Sequence, residues 1–325
     1  TAWSPALNAE NLDTARKIAR TIEEATDHRV RIKVETMEGE TKPADLFKAV
    51  VSGEVAMVHS VASHWADKHP ATPFFASVPF GLTSIELEGW LTAGGGLALW
   101  RELYAGFGLV PFVAGNTGMS MAGWYRKKVK NVESFLQMRI HCTGLAAKVV
   151  KWLGGHPKEL PVAQLAQALK SGELDAVAWG GPSRDMALGL HKVAGFYHSP
   201  GWQDPGTNLE LIINKKLFDS LPPDLGEIIA LACDRASREH LANSMVRDMA
   251  AMKQLASNPD LYVGALPVPV LNQLVVTSEA VVKEAAGTDA LGRRILDSYT
   301  AFRDQVRQWQ DVSEQPFLEA RGMNG

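Results

Sequence analysis

The chain has 325 residues, of which 46% are hydrophobic and 21% charged, and a formal net charge of −3. This is the composition of a globular protein with room for two domains, and the lack of a basic tract argues against a nucleic-acid partner. No apolar run approaches the length of a membrane span.

The chain opens Thr1-Ala2-Trp3-Ser4-Pro5 without a methionine, which reads as a mature chain whose leader has been removed. Leu12, Ala15, Ile18, Ala19 and Ile22 then recur at helical spacing. Val30-Arg31-Ile32-Lys33-Val34 alternates like a half-buried strand. Pro43 stands at the favoured first position of the next helix. That helix runs into Ser52-Gly53-Glu54 and a short apolar segment ending at Val58. The same pattern returns 119 residues later, where Leu165 to Val177 echoes Leu46 to Val58 with Ser171-Gly172-Glu173 at the break. Glycine terminates helices by adopting the left-handed conformation, so each copy reads as helix, glycine stop and strand. Two such units predict two similar α/β lobes, each with a parallel sheet.

Gly94-Gly95-Gly96 lacks the spacing of a dinucleotide loop and reads as a turn between helices. From about Asp224 to Ser257, Leu225, Ile228, Ala232, Ala236, Leu241, Met245, Met249 and Met252 form the stripe of one helix about 50 Å long, enough to brace both lobes. Its methionines read as core packing. From Ala290 to Gln310, Leu291, Ile295, Tyr299, Phe302, Val306 and Trp309 mark a last helix. Its apolar strip packs either on its own chain or on a second one.

Ligands of open α/β sheets bind at the carboxyl ends of strands. The echoed strands end at His59-Ser60 and at Ala178-Trp179, so facing lobes bring both ends to one cleft. Arg139, on the short strand Gln137-Met138-Arg139-Ile140, is the candidate anion grip. A guanidinium is hard to bury without an anion, and its planar fork fits a carboxylate. Trp179, beside Gly180 and Gly181, is a candidate pocket wall. Trp202 sits in the Pro/Gly loop from Tyr197 to Gly206 and either touches a ligand or pins the loop. His64 and His141 are further candidate contacts. Asp204 and Asp185 read as a turn residue and a helix-start residue. Cys142 and Cys233 read as buried free thiols, without zinc spacing or CxxC, and the scattered histidines form no helical metal pair. There is no GxSxG, HExxH or P-loop.

The order and spacing of several short motifs resemble the DctP-type substrate-binding proteins of tripartite ATP-independent periplasmic (TRAP) transporters, closest to the branch that binds 2-oxo acids and lactate. The motifs are Val78-Pro79-Phe80-Gly81-Leu82, Gly94-Gly95-Gly96, Ala114-Gly115-Asn116-Thr117-Gly118, Gly123-Trp124-Tyr125-Arg126-Lys127, Met138-Arg139-Ile140, and Pro200-Gly201-Trp202 followed by Asp204-Pro205-Gly206. The likeness covers nearly the whole chain. It implies an α/β, two-lobe periplasmic binding-protein fold, type II-like in its TRAP variety, with a hinge, a long bracing helix and a C-terminal helix. The expected division is 1–123 with about 211–257 as one lobe, 124–210 with about 258–287 as the other, and 288–325 as C-terminal helix and tail. Some relatives in this branch form dimers by swapping that last helix, so a homodimer contact is expected there.

The resemblance further implies a small organic acid anion held between the lobes in the periplasm and delivered to TRAP membrane subunits. A 2-oxo or 2-hydroxy monocarboxylate is favoured, with a bulky or aromatic tail allowed, while sulfonates, sugar acids and dicarboxylates stay open. The expected substrate-binding set is Arg139, pairing with the carboxylate, with Trp179, Ser120, Ala178, Gly180, His64, Trp202, Phe80 and His141. Members of the branch often bridge the ligand with a cation held by a glutamine after the Gly-Asn-Thr-Gly turn and a glutamate before the tryptophan. Here Ser120 and Ala178 stand at those places, which predicts no cation and no other cofactor, more room in the cleft, and direct hydrogen bonds from Ser120 and His64. Two alternatives remain: a ligand sensor that docks a receptor, and an enzyme on the same scaffold built on His64 and Ser120.

Overall fold

The computed structural model describes residues 9–36 and 43–322. Among the described residues the strands are β1 (Met57–Ser60), β2 (Leu109–Asn116), β3 (Gly123–Tyr125), β4 (Arg139–His141), β5 (His156–Pro157), β6 (Ala176–Val177), β7 (Phe196–Ser199), β8 (Asn208–Asn214) and β9 (Tyr262–Ala265). They form two sheets, ordered β1-β8-β2 and β5-β4-β6-β3-β7-β9. In the first sheet β8 is antiparallel to both neighbours, with Ser60 opposite Glu210 and Leu109 opposite Asn214. In the second, β4 runs parallel to β5 and β6, and β7 parallel to β9, while β3 is antiparallel to β6 and β7.

The expected parallel sheet in each lobe is therefore corrected. The repeated unit itself is present in both lobes. Gly53 and Gly172 are left-handed at φ +84° and +80°. Ser52 and Ser171 donate their hydroxyls to Ala49 and Ala168 carbonyls at 3.0 and 3.1 Å. The strands that follow find different partners. β1 pairs with β8, which returns directly from the second sheet and enters the first from the cleft side, running against β1 and β2.

The first helix, Ala9–Ala25, buries Leu12, Ala15, Ile18, Ala19 and Ile22 as its spacing predicts. No strand forms at 30–34. The alternation survives as half-buried Val30 and Ile32 packed under the first sheet, but no ladder bonds join them to it. Gly95, at φ +86°, links the helices Ser84–Thr92 and Gly96–Ala105. Cys142 and Cys233 are buried free thiols.

The long helix spans Pro223–Ala256, and its buried seam runs through Leu225, Ile229, Ala232, Cys233, Ala236, His240 and Ser244. The methionine reading holds for Met252, which packs against the core, and is corrected for Met245 and Met249, which are 58% and 65% exposed because the seam turns His240 and Ser244 inward instead. The last long helix, Ala290–Gln310, packs its first half on its own chain. Tyr299 meets Phe74 and Trp90 at 5.2 and 5.1 Å, and its hydroxyl accepts from the Leu82 amide at 2.7 Å.

Candidate functional site

A cavity of about 350 Å³ opens where the two sheets present their strand ends. Val61, Ser63 and His64 follow β1, and Thr117 follows β2. Opposite them, His141 ends β4 and Cys142 to Ala146 follow it, and Ala178, Trp179 and Arg184 follow β6, while Gln203 and Asp204 close one side. A larger groove of about 570 Å³, lined by Leu109, Phe112, Phe218 and Leu221, lies at the opposite end of the first sheet. It lacks the convergence of polar groups from two sheets that marks the cavity.

Two buried carboxylates hold the walls. Glu210, on β8, accepts from Ser60 Oγ at 2.8 Å, Trp65 Nε1 at 2.5 Å and Tyr104 Oη at 2.9 Å. It thereby fixes the short helix Ala62–Trp65 that carries Ser63 and His64. Loss of water pushes its carboxyl up to about 7, against the pull of the three hydrogen bonds. Asp185 does the same for the opposite wall. The Gly180 amide donates to Oδ1 at 3.0 Å and Tyr197 Oη to Oδ2 at 2.9 Å. Burial pushes this carboxyl up to about 8. The helix Pro182–Ala187 is also tied to the long helix, since Ser183 donates its amide and hydroxyl to Asp248 at 2.8 and 2.5 Å.

The expected site residues divide. Ala178, Trp179, His64 and His141 line the cavity. His141 is 2% exposed and held below the usual histidine range by burial, so it is neutral near pH 7. Gly180 lies behind the lining, its carbonyl accepting from the Met121 amide at 3.0 Å. Ser120 is buried and spends its hydroxyl on the Asp204 carbonyl at 2.6 Å. Trp202 is buried against Phe80, ring centroids 6.3 Å apart, and its carbonyl accepts from the Phe80 amide at 2.8 Å. Ser120, Trp202 and Phe80 thus hold the 200–206 loop in place and are not among the lining residues. Asp204 closes a turn, accepting from the Gly206 amide and the Thr207 hydroxyl.

Arg139 requires a correction. It stands at the first residue of β4, while the cavity lies past the last, and it is not a lining residue. Its anion is internal: Nε and Nη2 donate to the two oxygens of Asp175, both at 2.9 Å. The side chains of this pair are 41% and 33% exposed, and such pairs contribute about 0–1 kcal/mol. Arg139→Ala is therefore expected to lower stability by about 1 kcal/mol or less and to leave ligand affinity within about twofold. Denaturant unfolding and calorimetry on the variant check both.

The sequence reading missed Arg184, Lys148 and Gln203. Arg184 had a usable signal: it lies on the first turn of a helix opened by Pro182, directly after the strand end already flagged at Trp179. Gln203 Nε2 donates to the Met121 carbonyl at 2.6 Å, which leaves Oε1 as a buried oxygen without a protein donor.

Comparison with known proteins bears on this cavity. The pattern that defines the bacterial extracellular solute-binding proteins of family 7, DctP, matches residues 4–288. The monocarboxylate 2-oxoacid-binding periplasmic protein of a Nostoc species is 32% identical over 319 residues, 97% of this chain and 85% of that protein. A TRAP periplasmic solute-binding protein of Colwellia psychrerythraea, solved with calcium and pyruvate, superimposes with a TM-score of 0.92 at 31% identity, covering 98% of this chain and 97% of its own. One from Pseudoalteromonas atlantica, solved with sodium and pyruvate, gives 0.90 at 34% identity, covering 98% and 96%.

These structures overturn the expectation of a cation-free cleft, since both hold a cation together with the ligand. Ala178 has no donor atom and Ser120 spends its hydroxyl on the Asp204 carbonyl, but other residues also line the cleft. Gln203 and Asp204 also line the cavity, and their side chains carry oxygen atoms, the donors a hard cation takes. In sequence and fold, the chain belongs to the bacterial extracellular solute-binding proteins of family 7, the DctP proteins of TRAP transporters.

Proposed function

We propose that this protein captures a small organic acid anion, a 2-oxo or 2-hydroxy monocarboxylate, between its two lobes in the periplasm and delivers it to TRAP membrane subunits. The observation that carries this reading is the charge of the cavity. Arg184 and Lys148 line it, and neither is in an ion pair among the described residues. The carboxylate present, Asp204, already serves its own turn. A ligand with one negative charge supplies what these groups lack. The pyruvate in two relatives of similar fold supports the chemical class.

In this reading the lobes divide as 1–123 with about 211–257 and 124–210 with about 258–287. His64 contacts the ligand from one lobe, and His141, Ala178 and Trp179 contact it from the other. A bound cation would be held beside Gln203 and Asp204, which line the cavity, together with ligand oxygens. A ligand touching both lobes favours the closed arrangement only by the extra contacts it makes there. Binding without turnover is favoured over catalysis because Ser120, the nucleophile an enzyme would need, is committed to the Asp204 carbonyl.

Small-angle scattering tests the proposal. The radius of gyration is expected to fall when a bound acid is added at saturation. An unchanged profile would sink closure between lobes. A homodimer through the end of the helix Ala290–Gln310 and the segment after it is part of the same proposal, supported by Trp309, Val312 and Phe317 at 65%, 74% and 62% exposure. Sedimentation at micromolar concentration is expected to give the dimer mass, and Trp309→Glu with Phe317→Glu the monomer mass.

A further inference from the structure

The cavity contains a guanidinium whose hydrogen-bonding capacity the fold leaves largely unused. Arg184 is half-buried, and its recorded protein contact is one bond, Nη2 to the Thr117 carbonyl at 3.3 Å. A guanidinium has five N–H donors, so most of this one faces no protein acceptor among the described residues. Its neighbour Asp185 feels its charge but forms no salt bridge with it among the described residues; the Asp185 oxygens accept from the Gly180 amide and the Tyr197 hydroxyl. We propose that Arg184 is the residue that grips the ligand's carboxylate, reaching it from the helix after β6 and not from β4; the assignment rests on the binding function proposed above.

The other cations do not meet the requirement. Arg139 is held at both ends of its fork by Asp175. His141 is kept neutral by its burial. Lys148 is exposed and offers a single ammonium with no planar fork. Gly180 shows that the guanidinium has a built seat. A Cβ at this glycine would lie 3.2 Å from Arg184 Nε and 3.3 Å from Cζ, closer than ordinary van der Waals contact. The glycine is not left-handed, so what it provides is space for the arginine and not a special backbone conformation. The seat places the bound carboxylate beside the Gly180 backbone and the Trp179 ring, leaving the apolar side of the cavity at Val61 and Leu145 for the rest of the acid.

The test is calorimetry on the full chain with pyruvate, lactate and phenylpyruvate, each beside its uncharged amide, in buffer with calcium and in buffer with chelator. Wild type, Arg184→Met, Arg184→Lys, Gly180→Ala and Arg139→Met are compared. The expected result is a 10- to 100-fold loss of carboxylate affinity in Arg184→Met, the worth of a charge-assisted hydrogen bond, with partial recovery in Arg184→Lys. Arg139→Met is expected within about twofold of wild type, and the preference for acid over amide should vanish in Arg184→Met. Gly180→Ala, which keeps the guanidinium but shifts it, should lose several-fold, and it carries the test if Arg184→Met folds poorly. Wild-type affinity in Arg184→Met, or a large loss in Arg139→Met, overturns the assignment while the binding function stands. No binding of any acid to the wild type sinks the function and the assignment together.

Discussion

Glu210→Ala is expected to destabilise the protein by about 3 kcal/mol or more, the cost of leaving three buried donors without their shared acceptor. The carboxylate is fully buried and accepts from donors on three elements: β1 through Ser60, the helix Ala62–Trp65 through Trp65, and the helix Gly96–Ala105 through Tyr104. Alanine leaves these three donors buried without an acceptor, each at about 1–3 kcal/mol, and opens a cavity besides. Because Ser63 and His64 ride on the helix that Glu210 anchors, ligand affinity should fall with stability. Urea unfolding and calorimetry on the same variant measure the two effects. A loss under 1 kcal/mol would mean the three donors find other partners.

The same residue has a pH signature. Its carboxyl sits at about 7 in the fold against an ordinary 4.5. Between those values the folded chain keeps a proton that the unfolded chain has released. This group's contribution is therefore complete below about pH 4.5 and is lost as pH rises through about 7. Asp185, also raised, acts in the same sense, so the difference between wild type and Glu210→Gln isolates Glu210. That difference should change between these two pH values and level off above. A flat difference across the window would contradict it.

Gly123→Ala is expected to cost about 2–5 kcal/mol, from overpacking and backbone strain together. The residue opens β3 at φ +119°, a conformation L side chains rarely adopt. A Cβ there would also lie within 2.3 Å of the Val177 carbonyl and 2.9 Å of the Ala178 Cα, both backbone atoms. Since Ala178 is part of the cavity wall, the shift should reach the ligand. Wild-type stability in this variant, measured by thermal and urea unfolding, would show that the β3–β6 junction yields more easily than its geometry implies.

What could be read from the sequence follows from how local its cause is. The helix Ala9–Ala25, the turn at Gly95 and the repeated helix–glycine–strand unit depend on spacing and on glycine within a few residues, and all three are present. The direction of the sheets depends on β8, which reaches β1 from some 150 residues away, Ser60 to Glu210, and no local pattern announces it. The reading of Arg139 failed for the same kind of reason. Its strand was correctly placed, but its anion, Asp175, lies 36 residues on. On a strand rising about 3.3 Å per residue, the two positions from Arg139 to His141 decide which side chain reaches the cleft. Met245 and Met249 share the helical stripe with core residues, yet the helix turns its histidine and serine inward and leaves them exposed. Gln203 carries no local signal of a role in the cleft, since its oxygen is left without a donor only because the Met121 carbonyl, 82 residues away, takes its nitrogen.

The most direct test is titration calorimetry of the wild-type chain with a panel of 2-oxo acids, 2-hydroxy acids, aromatic acids and dicarboxylates, run with calcium, with sodium and with chelator. One-to-one binding of at least one 2-oxo or 2-hydroxy monocarboxylate is the predicted result, and comparison of the three buffers shows whether a cation joins it. A folded protein that binds none of these monocarboxylates in any of the buffers would contradict capture of a small organic acid between the lobes.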